Sequence, residues 1–405
     1  MTPAAALAAR EIPVPVATRA LARPRRGRAG VLALLAATVV ARSLRPDRVD
    51  VLDRAVAWSG SQSWKAWFFG TLDPQAATSV GAPAAGWLSG LVLRISASAD
   101  LVVLATVLTV LAVTVLTVTV RRIAGPSAGL VAGAVPALLL RSGDEAQTAL
   151  LLGVTGYLLV RHRGPARWSL GAGLAGGGAV LVGGWGAALG VALLAGTLFL
   201  RRTPRRRAVV DVAVVTGTVA ACVGVWFVVA SGWPGGPPVS SGVWTGPAAG
   251  VLAPLAATAL ALGGAWLWRR WRGAWRVVLA LALVLSAGLG AGARAHDTPS
   301  TPADTSTTSL LQAAGTTWSA ATVASPQDAA ALELASGTAV LALRTGDATV
   351  SLAQFQSYVA TGRVRYLLVP HGSTSAATAS DVVVWAAAAH TAMTVGTTTV
   401  YDLSD

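Results

Sequence analysis

The alternation of long apolar runs with short basic clusters constrains the fold of this chain more than any other feature. With 54% hydrophobic residues, 12% charged residues and a mean hydropathy of +0.62, the chain is too apolar for a soluble globular protein of 405 residues. We expect an α-helical polytopic membrane protein with about nine spans. The apolar runs cover residues 29–43, 100–120, 126–140, 146–160, 168–183, 185–200, 208–229, 249–268 and 275–293.

The basic clusters predict how the spans are oriented in the plasma membrane. Alternation from a cytoplasmic N-terminus (1–28) places every cluster on the inside, where Lys and Arg are enriched. Residues 29–295 then form the multi-pass domain, with 44–99 as its first external loop, and everything beyond 295 is extracytoplasmic. The short runs flanking "GGWG" (183–186) predict a re-entrant or tilted hairpin. The clusters cover residues 23–28, 121–122, 161–167, 201–207 and 269–276.

The distribution of charge and the short motifs of the sequence disfavour several classes of function. The net charge of +14 is spread over separate clusters, whereas nucleic-acid binding requires one basic soluble face. The single cysteine, Cys222, rules out a disulfide or a thiolate metal site within one chain. "GAGLAG" (171–176) matches a dinucleotide fingerprint but lies within a span, so it indicates close helix packing. No zinc motif such as H-E-x-x-H occurs, and no metal site is predicted.

The composition changes abruptly after residue 295. "HDTPSTPADTSTTS" (296–309) is a Thr, Ser and Pro linker, and residues 310–405 are of mixed polarity. Helices and strands alternate there, which predicts a small parallel α/β domain outside the membrane. Its predicted helices are 325–337, with Ser325 as N-cap and Gly337 just past the end, 351–362 and 380–390, and its predicted strands are 338–343, 364–369 and 397–403.

Aromatic residues are concentrated in "SGSQSWKAWFFG" (59–70). Trp64, Trp67 and Phe68 have the i, i+3, i+4 spacing of one helix face, and the segment is too short to cross a bilayer. We expect a helix that lies in the membrane interface, where tryptophan is enriched.

Acidic residues on the predicted outer side are the candidates for chemistry. Asp50 and Asp53 lie in the first external loop, and Asp144 and Glu145 lie at the outer end of the third span. A carboxylate near the membrane surface can act as a general base for a hydroxyl or can hold a metal ion beside a phosphate. The alternative is that these groups are solvated loop charges.

Five segments carry a resemblance to a known family. The chain resembles actinobacterial membrane glycosyltransferases of the protein-mannosyltransferase and aminoarabinose-transferase superfamily (glycosyltransferase family 39), in the mannosyltransferase-like branch with its C-terminal domain. The likeness is patchy over 50–290 and almost continuous over 310–405. The segments are "GSQSWKAWFFGTLDP" (60–74), "TVRRIAGPSAGLVAGAVPALLL" (119–140), "TTWSAATVAS" (316–325), "SLAQFQSYVATGRVRYLLVPHG" (351–372) and "MTVGTTTVYDLSD" (393–405).

The resemblance implies a C-type glycosyltransferase fold and an inverting transfer of a sugar, mannose, from a polyprenyl-phosphate donor to an acceptor on the outer face. Asp50 or Asp53 is then the base, and Asp144 or Glu145 is a second acid or a metal contact. A divalent metal ion as cofactor is left open. Membrane lipid is an expected partner, nucleic acid is not, and protein partners are unknown. The implied donor-binding residues are Arg45, Arg48, Arg54, Trp64, Lys65, Trp67 and Arg141.

Departures from the family pattern support a second hypothesis. Where the family has an Asp and a Lys after the first loop, this chain has "VGAPA" (80–84), and where it has an Asn-Asn-Pro-Asp step, this chain has "SGDEA" (142–146). A lysine-bearing motif is replaced by "GGWGA" (183–187), and the chain contains no Asn. A phosphate-bearing donor needs a positive charge or a metal beside it. The alternative is therefore a catalytically degenerate relative that serves as a sugar-lipid-binding or assembly scaffold.

Overall fold

The computed structural model has a helical part followed by a small C-terminal sheet domain. The expected spans 249–268 and 275–293 and the basic cluster 269–276 lie outside the described residues. The structure describes residues 24–43, 50–78, 82–140, 142–161, 167–196, 205–233, 304–345, 348–370 and 377–404.

The N-terminal part is a bundle whose core lies between its longer helices. Buried Ala, Val and Leu side chains from α5, α7, α8 and α9 form one continuous cluster, while α2, α3 and α4 belong to the segment that was predicted as the first external loop. The helices are α1 (Pro24–Ser43), α2 (Val51–Gln62), α3 (Trp64–Phe69), α4 (Trp87–Ile95), α5 (Leu101–Ala124), α6 (Pro126–Leu139), α7 (Gly143–Arg161), α8 (Arg167–Gly196) and α9 (Arg205–Gly232).

Two of the described helices are long and apolar enough to cross a membrane. They are Leu101–Arg122 and Arg206–Gly232, with mean hydropathies of 2.7 and 2.3. Ala29–Ala41 and Pro126–Leu138 are apolar but shorter. These helices are consistent with a membrane protein, and the count of nine spans stays a prediction.

α8 folds back on itself at Gly184. This glycine has φ 57° and ψ −139°, a conformation outside the helical region. A Cβ built on Gly176 would lie 3.1 Å from Cγ2 of Val191, although a straight helix would separate positions fifteen residues apart by roughly 22 Å. The two halves are therefore antiparallel, which confirms the predicted hairpin. The Ala84 amide donates to the Leu181 carbonyl over 3.1 Å, so the hairpin turn meets the segment between α3 and α4.

Glycines on the first half of α8 allow it to approach α9 closely. A Cβ added to Gly173 would lie 2.6 Å from Cβ of Thr218, and one added to Gly177 would lie 2.7 Å from Cβ of Cys222. Gly173 belongs to the 171–176 motif, so the helix-packing interpretation of that motif is confirmed.

The two ends of the bundle carry opposite charge. At one end, Arg122 and Arg161 lie over the Tyr157 ring, and Arg161 and Arg167 lie over Trp168, at 5.1 to 6.0 Å from the ring centroids. The predicted inner clusters 121–122 and 161–167 thus meet in space. The opposite end holds the acidic residues of α2 and the start of α7.

The C-terminal domain is a mixed sheet with helices. The sheet order is β2-β1-β5-β7-β6. β1 pairs in parallel with β2 and β5, whereas β7 is antiparallel to β5 and to β6. The elements are α10 (Thr305–Ala313), β1 (Trp318–Thr322), α11 (Pro326–Ser336), β2 (Val340–Ala342), β3 (Arg344–Thr345), β4 (Ala348–Thr349), α12 (Leu352–Ala360), β5 (Val364–Pro370), α13 (Ala377–Ala389), β6 (Ala392–Val395) and β7 (Thr398–Asp402).

The expectation of a purely parallel sheet was wrong at β6 and β7. Only Gly396 and Thr397 separate these strands, and Gly396 has φ 59°. A two-residue connection can join only antiparallel neighbours, because a parallel pair needs a crossover of a dozen or more residues. The predicted caps of α11 are confirmed: Ser325 and Asp328 form a capping box, and Gly337 ends the helix in the left-handed conformation.

Replacing Gly184 by Ala should destabilise the bundle. A side chain at this φ and ψ is strained, at a cost of about 1–3 kcal/mol, and we expect a lower melting temperature in detergent micelles. Gly217→Ala in α9 is the matched control, because its Cβ would meet nothing within 4 Å and Ala favours a helix. Equal melting temperatures for the two variants would contradict the hairpin turn.

Candidate active site

A cavity of about 40 Å³ lies where the segment that carries α2, α3 and α4 meets the acidic end of the bundle. Its walls come from α2, α4, α5 and α7, which are far apart in sequence. Asp53 and Asp144, both predicted as candidates, line it together. The lining residues are Leu52, Asp53, Val56, Gly70, Ala82, Ala85, Gly86, Leu88, Ser89, Leu101, Leu104, Ala105, Leu108, Gly143, Asp144 and Gln147.

The first turn of α2 places Asp53 at the cavity. Asp50 is the N-cap of this helix, and its side chain accepts from the Leu52 amide over 3.0 Å. Asp53 follows in the first turn, where a carboxylate is stabilised by the helix dipole. The structure thus separates two candidates that looked equivalent in sequence: Asp53 lines the cavity, and Asp50 caps the helix.

The start of α7 separates the other two candidates in the same way. The Ser142 amide donates to Oε2 of Glu145 over 3.1 Å, and the Glu145 amide donates to Oγ of Ser142 over 3.3 Å. These are the reciprocal bonds of a capping box, so Glu145 is buried and does not line the cavity. Asp144 lines the cavity and accepts a short hydrogen bond from the Ser142 hydroxyl. The S-x-x-E spacing was the signal for the capping role of Glu145.

Gly70 closes the cavity on the side of the loop. It ends α3 with φ 61°, and a Cβ there would lie 2.4 Å from the carbonyl oxygen of Pro83. Only glycine fits this left-handed turn and close approach. Sequence reasoning also missed the cavity residues Ser89 and Gln147, because a lone polar residue on an apolar helix gives no signal by itself.

The aromatic segment forms the short helix α3 beside the cavity. Trp67 stacks on Trp87 at 5.2 Å and donates from Nε1 to the Trp87 carbonyl over 2.7 Å. Phe68 stacks on Trp226 and Trp233 at 5.9 and 5.3 Å. This face therefore packs α3 onto α4 and the end of α9.

Trp64 lies at the exposed edge of this face, with its ring centroid 5.6 Å from that of Trp67. It is 57% exposed, and the Arg94 guanidinium lies 3.9 Å from its ring centroid. An exposed tryptophan beside a cation agrees with the expected interfacial position.

Two other predicted donor-binding residues are described by the structure, and both stay outside the cavity lining. Arg54 is exposed on α2, and Lys65 is half-buried in α3, and neither lines the cavity. Arg45, Arg48 and Arg141 lie outside the described residues. Among the residues that the structure describes, no group of three or more His, Cys, Asp or Glu side chains could hold a metal ion.

The C-terminal domain packs against α2 on a face that adjoins the cavity, and Leu52 belongs to both. Leu52 and Ala55 of α2 and Leu72 of the following loop share one buried cluster with Ala329, Ala330 and residues of the sheet. α2 therefore has two neighbours: the cavity and the C-terminal domain.

Asp73 fixes this contact from the loop side. It is fully buried, and its carboxylate accepts from the Gln75, Ala77 and Thr78 amides and from the Thr78 hydroxyl, at 2.8 to 3.3 Å. Nε1 of the buried Trp318, in β1, donates to Oδ1 of Asp73 over 3.1 Å. A second polar contact joins Ser59 of α2 to Glu333 of α11, whose atoms Oγ and Oε1 are 3.3 Å apart.

The comparison with protein families identifies the domain that makes these contacts. Residues 308–389 match the family model described as "Putative mannosyltransferase YkcB-like, C-terminal". The match runs from α10 to the end of α13 and supports a relationship to mannosyltransferase-like proteins. No curated protein and no solved structure matches the chain. Membership of glycosyltransferase family 39 and the actinobacterial assignment stay predictions.

Replacing Trp318 by Phe should weaken the contact between the domain and the loop. The change leaves the buried Asp73 carboxylate with one donor fewer, and a hydrogen bond to a charged group is worth about 1.5–3 kcal/mol. We expect a lower unfolding midpoint in detergent. Trp385→Phe is the matched control, because that indole contacts the Phe355 and His390 rings at 5.9 and 5.1 Å within the domain. An equal or larger loss in the control would contradict the role of the Trp318–Asp73 bond.

Proposed function

We propose that this chain is a membrane glycosyltransferase-like protein that moves a sugar, mannose, from a polyprenyl-phosphate donor to an acceptor on the outer face. The observation that carries the proposal is the meeting of Asp53 and Asp144 in one cavity, beside a helix on which a mannosyltransferase-like domain is seated. Two carboxylates from separate helices, at the acidic end of an apolar bundle, provide the arrangement that such a transfer needs.

The lining of the cavity agrees with a lipid-linked donor. Apart from the two acids, Ser89 and Gln147, the described lining residues are apolar or glycine, so the walls favour a prenyl chain over water. In the transfer, one carboxylate takes the proton of the acceptor hydroxyl. At the same time the oxygen of that hydroxyl attacks the sugar carbon that bears the phosphate. The bond to the phosphate breaks with inversion, and the prenyl phosphate leaves with the electron pair.

The volume of the cavity requires a movement before the donor binds. About 40 Å³ holds water molecules but not a hexose. The lining comes from the loop helices α2 and α4 on one side and from the bundle helices α5 and α7 on the other. Donor binding therefore requires these two sides to separate, and the described structure is the closed form.

One observation favours the alternative of a sugar-lipid-binding or assembly scaffold. The described lining of the cavity contains no Lys or Arg, although a phosphate group is stabilised by a positive charge or a metal. A relative that has lost transfer but retains the prenyl-binding cavity and the docked domain would have this composition.

The proposed orientation can be tested with introduced cysteines in a Cys222→Ser background. Ser98 is exposed beside the acidic end, and Ser127 is exposed beside the basic end, in the first turn of α6. We expect a membrane-impermeant maleimide to label Ser98→Cys in intact cells and to label Ser127→Cys only after lysis, because basic ends face the cytoplasm. Labelling of both in intact cells, or of Ser127→Cys alone, would contradict the orientation.

The enzyme hypothesis can be tested with labelled polyprenyl-phosphate mannose added to membranes that contain the chain. We expect Asp53→Asn or Asp144→Asn to lower transfer by ~10²–10⁴, the usual effect of losing a positioned base, with donor binding retained. Asp100→Asn is the matched control. Asp100 caps α5 at the same end of the bundle but does not line the cavity, and Asn is an equally good cap.

The outcomes separate the two functions. Transfer that is lost in a cavity variant and kept in Asp100→Asn supports the enzyme and identifies its base. Donor binding without transfer in the wild-type chain favours the scaffold. Transfer that is unchanged in both cavity variants would contradict this site.

A further inference from the structure

The contact between Ser59 and Glu333 is one of two buried polar contacts described between the C-terminal domain and the first part of the chain, the other being that of Trp318 with Asp73. Glu333 is fully buried, and Oε2 has no hydrogen-bond partner among the described residues. Oε1 is 3.3 Å from Oγ of Ser59, which is also fully buried. A buried carboxyl oxygen without a donor is costly when the group is ionised and much less so when it is neutral.

The hydrogen-bond geometry around Ser59 indicates which form is present. Oγ of Ser59 makes a short hydrogen bond to the Leu72 carbonyl oxygen, and a carbonyl can only accept. The single hydroxyl hydrogen of Ser59 is therefore committed to Leu72. The contact with Glu333 is then satisfied when Glu333 is the donor, which requires its carboxyl group to be protonated.

The charged groups near Glu333 act in the same direction. Burial, and then the negative charge of Asp73, raise the pKa of the Glu333 carboxyl well above its ordinary value. A hydrogen bond donated by Ser59 would lower this pKa, but the hydrogen of Ser59 is committed to Leu72. α10 and β2 carry no titratable side chain. α2 carries Asp53 and Arg54, and α11 itself carries Asp328, whose carboxylate is held in the capping box at the far end of the helix.

We propose that Glu333 is a positioning residue that seats the C-terminal domain on α2 in its protonated form, so that the docked state, and with it the placement of Asp53, loosens as the pH rises. The effect on Asp53 rests on the proposed function of the cavity, whereas the role of Glu333 in docking does not. Below the ordinary pKa of Glu, the group is protonated whether the domain is docked or not, and the contact is fully stabilising. Once the pH passes the ordinary pKa of Glu, the undocked chain has released the proton that the docked state keeps, and the docking equilibrium constant falls until the pH reaches the raised pKa of the docked state.

The test is the pH dependence of domain opening in the full chain without donor. Hydrogen exchange of the α2 and α11 amides, corrected for intrinsic exchange at each pH, gives the opening constant over about pH 5 to 9. Linkage to one proton makes this constant rise towards tenfold per pH unit for the wild type within the window between the two pKa values. Glu333→Gln has the shape and the neutral charge of the protonated glutamate. We therefore expect this variant to stay docked and its opening constant not to change with pH in that window.

Asp328→Asn is the matched control, since it removes another carboxylate of the same helix. We expect it to weaken the cap of α11 but to keep the wild-type slope above about pH 5. A flat wild-type profile, or a slope that persists in Glu333→Gln, would overturn the proposal. If Glu333→Gln does not fold, infrared spectra of the wild type decide: a protonated carboxyl band that titrates together with the opening constant supports the proposal, and the absence of such a band throughout the pH range in which the opening constant rises overturns it.

Measuring both transfer and the pH dependence of docking separates this proposal from the proposed function. A chain that shows the docking slope but no transfer keeps the role of Glu333 and loses the enzyme. A chain that transfers mannose with no docking slope keeps the enzyme and loses the role of Glu333.

Discussion

The buried Asp73 carboxylate is the interaction on which the arrangement of this molecule depends. A fully buried charge is tolerated only when its oxygens are saturated with donors. Most of these donors are amides of its own loop, and one is the indole of Trp318 in the C-terminal domain. The same group therefore shapes the loop after α3 and anchors a domain that follows it by more than two hundred residues.

α2 connects the docked C-terminal domain to the cavity, because it contacts both. One face of the helix, with Ala55 and Ser59, contacts the C-terminal domain, and the adjoining face, with Asp53 and Val56, lines the cavity. The helix has only 12 residues and takes its stability from both neighbours. The domain matched to mannosyltransferase-like proteins is thus a structural support of the candidate site, although it contributes none of the residues that line the cavity.

The sequence predicted what depends on local rules. The caps of α11, the glycine turn between the halves of α8 and the acidic residues of the cavity all follow from residue type and spacing over a few positions. Asp50 and Glu145 were proposed beside Asp53 and Asp144 because all four are acidic and on the predicted outer side. The capping signatures that separate them were present in the sequence: an Asp directly before a helix, and S-x-x-E at residues 142–145.

The docking of the domain could not be predicted in this way. Ser59 and Glu333 are 274 positions apart, and Asp73 and Trp318 are 245 apart. A lone Glu in an Ala-rich helix looks like a solvated charge, and nothing local distinguishes it from one. The mixed sheet was missed for a related reason, since the pairing of β7 with β5 depends on a hairpin connection that only the fold makes visible.

A cryo-microscopy map of the full chain with a polyprenyl-phosphate sugar bound tests the central claim most directly. The account predicts donor density between α2 and α7, with the phosphate near Asp53 and Asp144, the cavity widened and the C-terminal domain seated on α2 through Trp318 and Asp73. Donor density elsewhere on the bundle, or a domain detached from α2 while the donor occupies the cavity, would contradict it.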